Sequence, residues 1–171
     1  MRVLLPMLLF ALAGCDKAPT VLNSPDNVGT KLDEQAIANG ILPDPDSLQF
    51  AGRFETRGDL GTDKFCALAR GSGQFDIGVI AVFGPESKCE GRGSASMAGE
   101  KVRISLSGKG SCQFDAQYDG VELRFPGSIE PGCAAYCSDR ASLSGTHYFM
   151  VQSGDESARK TLGRDIERLC D

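Results

Sequence analysis

The chain has 171 residues, 41% of them hydrophobic, no tryptophan and a formal net charge of −5 at pH 7. This length fits one domain with a tail. An acidic chain lacks the basic surface that nucleic acids require, so we expect no nucleic acid among its partners, whereas a basic protein partner is compatible with the charge.

The N-terminal segment is short and apolar. Residues 3–12 follow Arg2, are nearly all apolar and contain Pro6. About ten residues of helix span about 15 Å, whereas a bilayer core requires about 20 residues. The segment is typical of a signal peptide, which we expect to comprise residues 1–14. The alternative, a buried core helix, is disfavoured because Pro6 would interrupt it.

The apolar run ends in Leu12-Ala13-Gly14-Cys15. This motif resembles the lipobox of bacterial lipoproteins, which implies that Cys15 is lipidated and becomes the first residue of the mature protein. Two acyl chains anchor a protein stably. Asp16 resembles the inner-membrane retention signal of enterobacterial lipoproteins. The resemblance therefore implies a lipid-anchored protein of the cell envelope, facing the periplasm or the exterior, with the inner membrane favoured over the outer.

Two segments separate the anchor from the folded domain. Residues 15–30 are rich in Pro, Asn, Asp and Gly without periodicity, which indicates a lipid anchor and tether. Residues 31–47 are interpreted as a short helix and linker. Thr30 and Asp33 match a capping box, and Asn39-Gly40 is typical of a helix end.

The segment 48–171 is predicted to be a β domain. Its apolar residues alternate with polar ones, which indicates strands with one buried face. The predicted strands are 48–54, 64–70, 75–83, 89–97, 102–106, 111–118, 121–125 and 141–150. Turn signals such as Asp119-Gly120 join them into an antiparallel meander. About eight strands can close a small barrel, with a two-sheet sandwich as the alternative.

The chain is expected to end in a helix over 155–169. Ser153 and Glu156 match a capping box, and an apolar stripe follows at helical spacing. The stripe consists of Ala158, Leu162, Ile166 and Leu169. Gly163 would weaken this helix. Its apolar face is expected to lie on the sheet or to cover an end of the barrel.

The β domain and its C-terminal segment contain six cysteines: Cys66, Cys89, Cys112, Cys133, Cys137 and Cys170. An even number in an exported domain predicts disulfides, whose connectivity the sequence leaves open. The meander brings most of them to one end, and from this we expect the pairs Cys66–Cys89, Cys112–Cys133 and Cys137–Cys170. No metal site is expected, because Cys133 and Cys137 are the only closely spaced pair.

The chain contains no nucleophile-elbow or dinucleotide-binding glycine motif, and we expect no cofactor. His147 is the only histidine and hence the one side chain suited to act as a base near neutral pH. Asp139 or Glu122 could orient it, but the sequence places neither beside it. A hydrogen-bonded histidine on a strand is the simpler interpretation, so a hydrolase is the least favoured function.

The segment 133–140 concentrates two cysteines, an aromatic residue and a charged pair. A loop fixed by disulfides that presents Tyr136 and Arg140 beside Asp139 suits a protein-binding surface, because Tyr and Arg are frequent in binding hot spots. The alternative is a structural loop in which Tyr136 plugs the barrel end. With His147, these three residues are the candidate binding residues.

The leading functional hypothesis is a membrane-anchored, non-enzymatic protein-binding or inhibitory module whose partner is an envelope or secreted protein. Its plan is similar to that of the periplasmic lipoprotein inhibitors of c-type lysozyme, which resemble small eight-stranded barrels with disulfides. This similarity is one of architecture, and no inhibitory residues are carried over. The alternative is a carrier of a small apolar ligand or lipid, because a barrel of about eight strands can enclose one. Four phenylalanines are expected to fill the interior instead: Phe75, Phe83, Phe114 and Phe125.

Overall fold

The computed structural model describes residues 25–42, 44 and 47–171, with side chains from residue 30 onward. The predicted signal peptide, Cys15 and Asp16 lie outside the described residues. The strands are β1 (Gly52–Gly58), β2 (Gly61–Gly71), β3 (Gln74–Val82), β4 (Lys88–Ala98), β5 (Lys101–Ser107), β6 (Cys112–Tyr118), β7 (Glu122–Arg124) and β8 (His147–Ser153). The helices are α1 (Pro25–Ala38), α2 (Asp155–Arg159) and a 3₁₀ helix (Pro131–Tyr136).

The strands form a closed barrel. Each strand pairs antiparallel with its neighbours in the chain, and β8 pairs with β1 to complete the circle. The predicted meander is thus confirmed, and the barrel rather than the sandwich is its form. The first and last strands begin later than predicted, at Gly52 and His147. Phe50 packs into the core ahead of β1, and the long connection between β7 and β8 covers the end of the barrel.

Aromatic side chains fill the barrel interior. The core contains Phe50, Phe54, Phe65, Phe75, Phe114, Tyr118, Phe125, Tyr136 and Tyr148. The Phe50 ring lies 5.0 Å from the Phe75 ring and 5.1 Å from the Tyr118 ring, centroid to centroid, which is a favourable aromatic spacing. The prediction for Phe83 was wrong. β3 ends at Val82, so Phe83 lies in the following turn with 37% of its surface exposed.

The N-terminal helix is longer than predicted. α1 begins at Pro25, so part of the predicted tether is helical and Thr30 lies inside the helix rather than at its cap. Proline suits the first turn of a helix because its φ angle is already near the helical value. The helix ends where expected: Gly40 has φ of +67° and the Ile41 amide donates back to the Ala36 carbonyl.

The predicted C-terminal helix is mostly absent. α2 ends at Arg159, and Gly154, rather than Ser153, is its N-cap. Residues 160–171, which we call the C-terminal strap, are irregular. Their amides at Arg164, Asp165 and Ile166 donate to the carboxylate of Glu90 on β4 and not to helical carbonyls. The apolar stripe therefore does not form one helical face: Leu169 is buried and Leu162 is 52% exposed.

The strap and α2 cover the outer face of β2 and β3. Ala158, Leu169 and Cys170 pack there against Leu68 and Ile80 in a second apolar cluster outside the barrel. The expectation that the C-terminal segment lies on the sheet is met by a short helix and a strap. Burying this outer apolar surface stabilises the fold by removing it from water.

The disulfides are Cys66–Cys170, Cys89–Cys137 and Cys112–Cys133. The third was predicted, and the other two predicted pairs were wrong. Cys66 lies within β2 and not at its start, with its side chain on the outer face between the inward residues Phe65 and Ala67. It therefore meets the strap at Cys170, which leaves Cys89 and Cys137 to pair at the barrel end.

Candidate functional site

The connection between β7 and β8 is fixed to the barrel end. Two disulfides attach it, through Cys89–Cys137 and Cys112–Cys133. The Ser138 hydroxyl also donates to the Lys88 carbonyl at 3.1 Å and accepts from the Lys88 amide at 3.2 Å. Cross-links to two different strands leave this loop little freedom, so the groups that it exposes are preorganised.

Tyr136 is the plug of this barrel end. It is only 3% exposed, and its hydroxyl donates to the Gly110 carbonyl at 2.8 Å and accepts from the Lys109 amide at 3.2 Å. A side chain at Gly91 would collide with its ring, since an added Cβ would lie 2.7 Å from the Tyr136 Cδ1 atom. The ring is therefore part of the core and is not presented to a partner.

Asp139 and Arg140 are exposed charged residues of this loop. Neither side chain has an ion pair or a hydrogen bond with any residue that the structure describes. Arg140 has φ of +66°, an uncommon value for a residue with a side chain. Beside them, a shallow pocket of about 150 Å³ lies between the 3₁₀ helix and residues 141–144. This size suits a partner's side chain better than a free ligand of drug size.

His147 lies elsewhere, on the outer wall of the barrel. The exposed face of β8 carries His147, Phe149 and Val151, which we call the β8 stripe. Phe149 is 41% and Val151 is 48% exposed, and the His147 and Phe149 rings pack edge to face at 5.5 Å. The sequence pattern predicted a possible base at His147 but gave no functional role to Phe149 and Val151. Strand alternation, which places all three on one face, was the available signal.

Charged pairs flank the β8 stripe on both sides. Phe149 is opposite Glu122 on β7 and Glu55 on β1. The Glu122 carboxylate accepts from Arg124 Nε at 2.7 Å, while Glu55 lies 3.7 Å from Arg53 Nε and 3.8 Å from an Arg57 guanidinium nitrogen. The arrangement is an apolar centre with a charged rim, as in many protein interfaces.

Other outer faces of the barrel differ from the β8 stripe. On β5 and β6 the outward side chains are polar, and Asp115 accepts hydrogen bonds from Arg103 at 2.8 Å and lies 2.8 Å from Lys101 Nζ. These cations hold the pKa of the Asp115 carboxyl far below its usual range. On β2 and β3 the central outward residues Leu68, Ile80 and Val82 are apolar, and the strap and α2 cover them. No described residue covers the β8 stripe.

The described residues do not assemble a recognisable catalytic site. His147 makes no hydrogen bond to a carboxylate among them, and Glu122, one proposed orienting group, is bonded to Arg124. The buried phenols are weak acids: burial raises the pKa of Tyr118 to about 12 and raises that of Tyr148 as well. The six cysteines from Cys66 onward are all disulfide-bonded, and no group of described side chains could hold a metal ion.

The protein is thus a disulfide-linked, closed eight-stranded β-barrel with a filled interior. Comparisons with protein-family models, curated proteins and solved structures find no match. The part of the chain that the structure describes contains no helix with the length and apolar character needed to cross a membrane.

Proposed function

We propose that this protein is a membrane-anchored extracytoplasmic lipoprotein whose barrel is a non-enzymatic, protein-binding or inhibitory module of the cell envelope. The observation that carries the binding role is the β8 stripe. It is the exposed apolar strand face between two rows of charged pairs. Exposed aromatic groups with arginine neighbours are frequent centres of protein interfaces. The proposed partner is an exported protein with an apolar contact surface.

The barrel interior supports this proposal over a carrier. Nine aromatic side chains occupy it, and Phe50 and Tyr136 lie toward its two ends. Binding of an apolar ligand inside would require several of these rings to move, at the cost of their packing. The pockets at the described surface are shallow and open rather than enclosed.

The anchor is supported by the lipobox resemblance at Cys15 and has its own test. The intact protein, isolated from a bacterial host that processes lipoproteins, should begin at Cys15 and carry the mass of attached acyl chains. A Cys15→Ser variant should lack that mass. An unmodified Cys15, or a chain that retains residues 1–14, would reject the anchor and leave the binding proposal standing.

The binding role is tested with a double variant of the stripe, Phe149→Asp with Val151→Asp. Both residues are exposed, but an aspartate in place of Phe149 faces Glu122 and Glu55 across the strands, so a loss of about 1–2 kcal/mol of stability is expected, and thermal unfolding verifies that the fold is retained. The matched control is Ser105→Asp with Gln117→Asp on the polar wall of β5 and β6, which adds the same charge. Residues 16–171 of each form, with disulfides formed, are immobilised and exposed to envelope extract and secreted fluids.

The proposal is supported when the wild type and the control capture the same protein and the amount captured by the stripe variant is at least tenfold lower. A third variant, Asp139→Asn with Arg140→Gln, determines whether the disulfide-fixed loop belongs to the same interface. Equal capture by the wild type and the stripe variant would overturn the stripe as the binding surface. Purified c-type lysozyme is assayed in parallel, and an unchanged lysozyme rate at saturating protein eliminates that inhibitory case.

A further inference from the structure

A basic cleft lies on the outer surface of the C-terminal segment. It is an open cleft of about 410 Å³ between α2 and the strap, lined by Glu156, Arg159, Lys160, Leu162 and Arg168. Three of the five lining side chains are cationic and one is anionic, on a chain whose net charge is −5. Such a local reversal of charge attracts anions to this part of the surface.

Two of the cations in the cleft are available to a ligand. Lys160 Nζ donates to the Glu156 carboxylate at 2.7 Å, one helical turn away. Arg159 and Arg168 have no ion pair with any residue that the structure describes. Guanidinium groups bind phosphate oxygens through two parallel hydrogen bonds, so these two side chains suit a phosphate.

The cleft also presents an apolar group beside its cations. Leu162 is 52% exposed, although its backbone is fixed because its carbonyl accepts from Lys64 Nζ at 3.0 Å. A free phosphate has no apolar group that could contact this leucine. A phospholipid has one, because its phosphate adjoins its acyl region, and interfacial sites combine Leu with Arg and Lys.

The position of the cleft relates it to the N-terminal segment. The Gly154 amide, directly before α2, donates to the carbonyl of Ala51 at 2.8 Å. Asp155 on α2 accepts from the Ala69 amide at 3.0 Å, at the same end of the barrel. The chain therefore enters the barrel beside α2, and an anchor at Cys15 would attach to the domain through the end that carries α2.

We propose that this cleft binds phosphate groups of anionic phospholipids on the membrane that carries the anchor. The orientation of the domain on the membrane rests on the proposed lipidation of Cys15. The positive charge of the cleft and its exposed leucine are independent of that lipidation. Contact through the cleft would turn the side of the barrel that the strap covers toward the membrane. Each lysine or arginine near an anionic membrane raises the partition constant of a protein onto that membrane about fivefold.

The test uses residues 16–171 without the lipid, which include every described residue, and vesicles of phosphatidylcholine with or without about a quarter of phosphatidylglycerol. The cleft variant is Arg159→Gln with Lys160→Gln and Arg168→Gln. The control removes three exposed cations at the other end of the barrel: Arg57→Gln with Lys109→Gln and Arg140→Gln. Thermal unfolding of each form verifies that the fold is retained.

The expected result is co-sedimentation of the wild type and the control with the anionic vesicles alone, and a loss of about a hundredfold in the cleft variant. Equal binding by all three forms, or no binding by the wild type, would overturn the proposal. Displacement from the vesicles by millimolar glycerol phosphate would assign the cleft to free phosphate compounds and also overturn it. Because the chain used here lacks the lipid, these outcomes are independent of whether Cys15 is lipidated.

Discussion

At the scale of single residues, Asp63 is a half-buried acid in the wall of a largely apolar barrel. Its carboxylate accepts the Val82 amide at 2.7 Å. Burial raises the pKa of Asp63 above its ordinary value of 3.8, and the Val82 hydrogen bond opposes this only in part. A carboxyl whose pKa is higher in the folded state binds protons more tightly there, so ionisation of Asp63 destabilises the fold as the pH rises above 3.8.

Replacing Asp63 with Asn should therefore stabilise the protein at neutral pH. The amide oxygen can still accept from Val82, and the charge is gone. We expect a higher midpoint of thermal unfolding than the wild type at pH 7 and no difference near pH 3, where the acid is protonated in both states. Asp139→Asn, at an exposed acid, is the matched control and should shift neither midpoint. An unchanged or lower midpoint for Asp63→Asn at pH 7 contradicts this prediction.

At the scale of elements, one buried carboxylate holds the start of the C-terminal strap, whose far end is held by the Cys66–Cys170 disulfide. Glu90 is 2% exposed, accepts three consecutive strap amides and lies 3.4 Å from Lys88 Nζ. This single acceptor replaces the hydrogen bonds that a continued helix would supply. The strap also gains an ion pair between Arg92 and Asp171 at 3.1 Å, which is exposed and contributes little.

Glu90→Gln should loosen the strap. The substitution keeps the size of the side chain but replaces one acceptor oxygen with an NH₂ group that faces a strap N–H, which leaves at least one of the three amides without an acceptor and costs about 2 kcal/mol of stability. Hydrogen exchange should quicken most at residues 164–166. Glu86→Gln, at an exposed glutamate in the adjacent turn, should change stability by about 0.5 kcal/mol or less. Similar exchange rates in the two variants would show that Glu90 does not attach the strap.

At the scale of the whole molecule, the disulfides connect distant parts of the chain. Cys66–Cys170 closes a loop with a sequence separation of 104, and Cys112–Cys133 closes one of 21. Each cross-link lowers the entropy of the unfolded chain, more for the longer loop. The chain-entropy relation gives about 4.7 kcal/mol for the first and about 3.4 kcal/mol for the second.

Removing Cys66 and Cys170 together, as alanines, should hence cost more stability than removing Cys112 and Cys133. All four residues are buried, so the loss of packing is similar and the difference reflects loop length. Denaturant unfolding of both double variants measures this difference, and non-reducing peptide mapping of the wild type verifies the pairs. An equal or smaller cost for the Cys66–Cys170 pair would show that loop entropy does not dominate.

The sequence by itself determined the class of fold. Period-two alternation and turn residues are local properties of the chain, and they predicted the eight antiparallel strands and most of the residues that face inward, with Phe83 as the exception. Even the helix end at Gly40 was predicted, because a glycine with positive φ is a local requirement. The number of strands correctly predicted that the barrel could close. The closure itself depends on the pairing of β8 with β1, which joins residues far apart in the chain.

Only the tertiary structure decided two of the three disulfide pairs, the strap and the surfaces. Cys66 points out of the barrel from β2, and its partner depends on where the distant strap lies. The apolar spacing of residues 158–169 predicted a helix, and a buried carboxylate 74 residues away from Arg164 captured its amides instead. The exposure of Phe149 and the burial of Tyr136 likewise follow from which segments cover each face, and coverage is a contact between residues far apart in the chain.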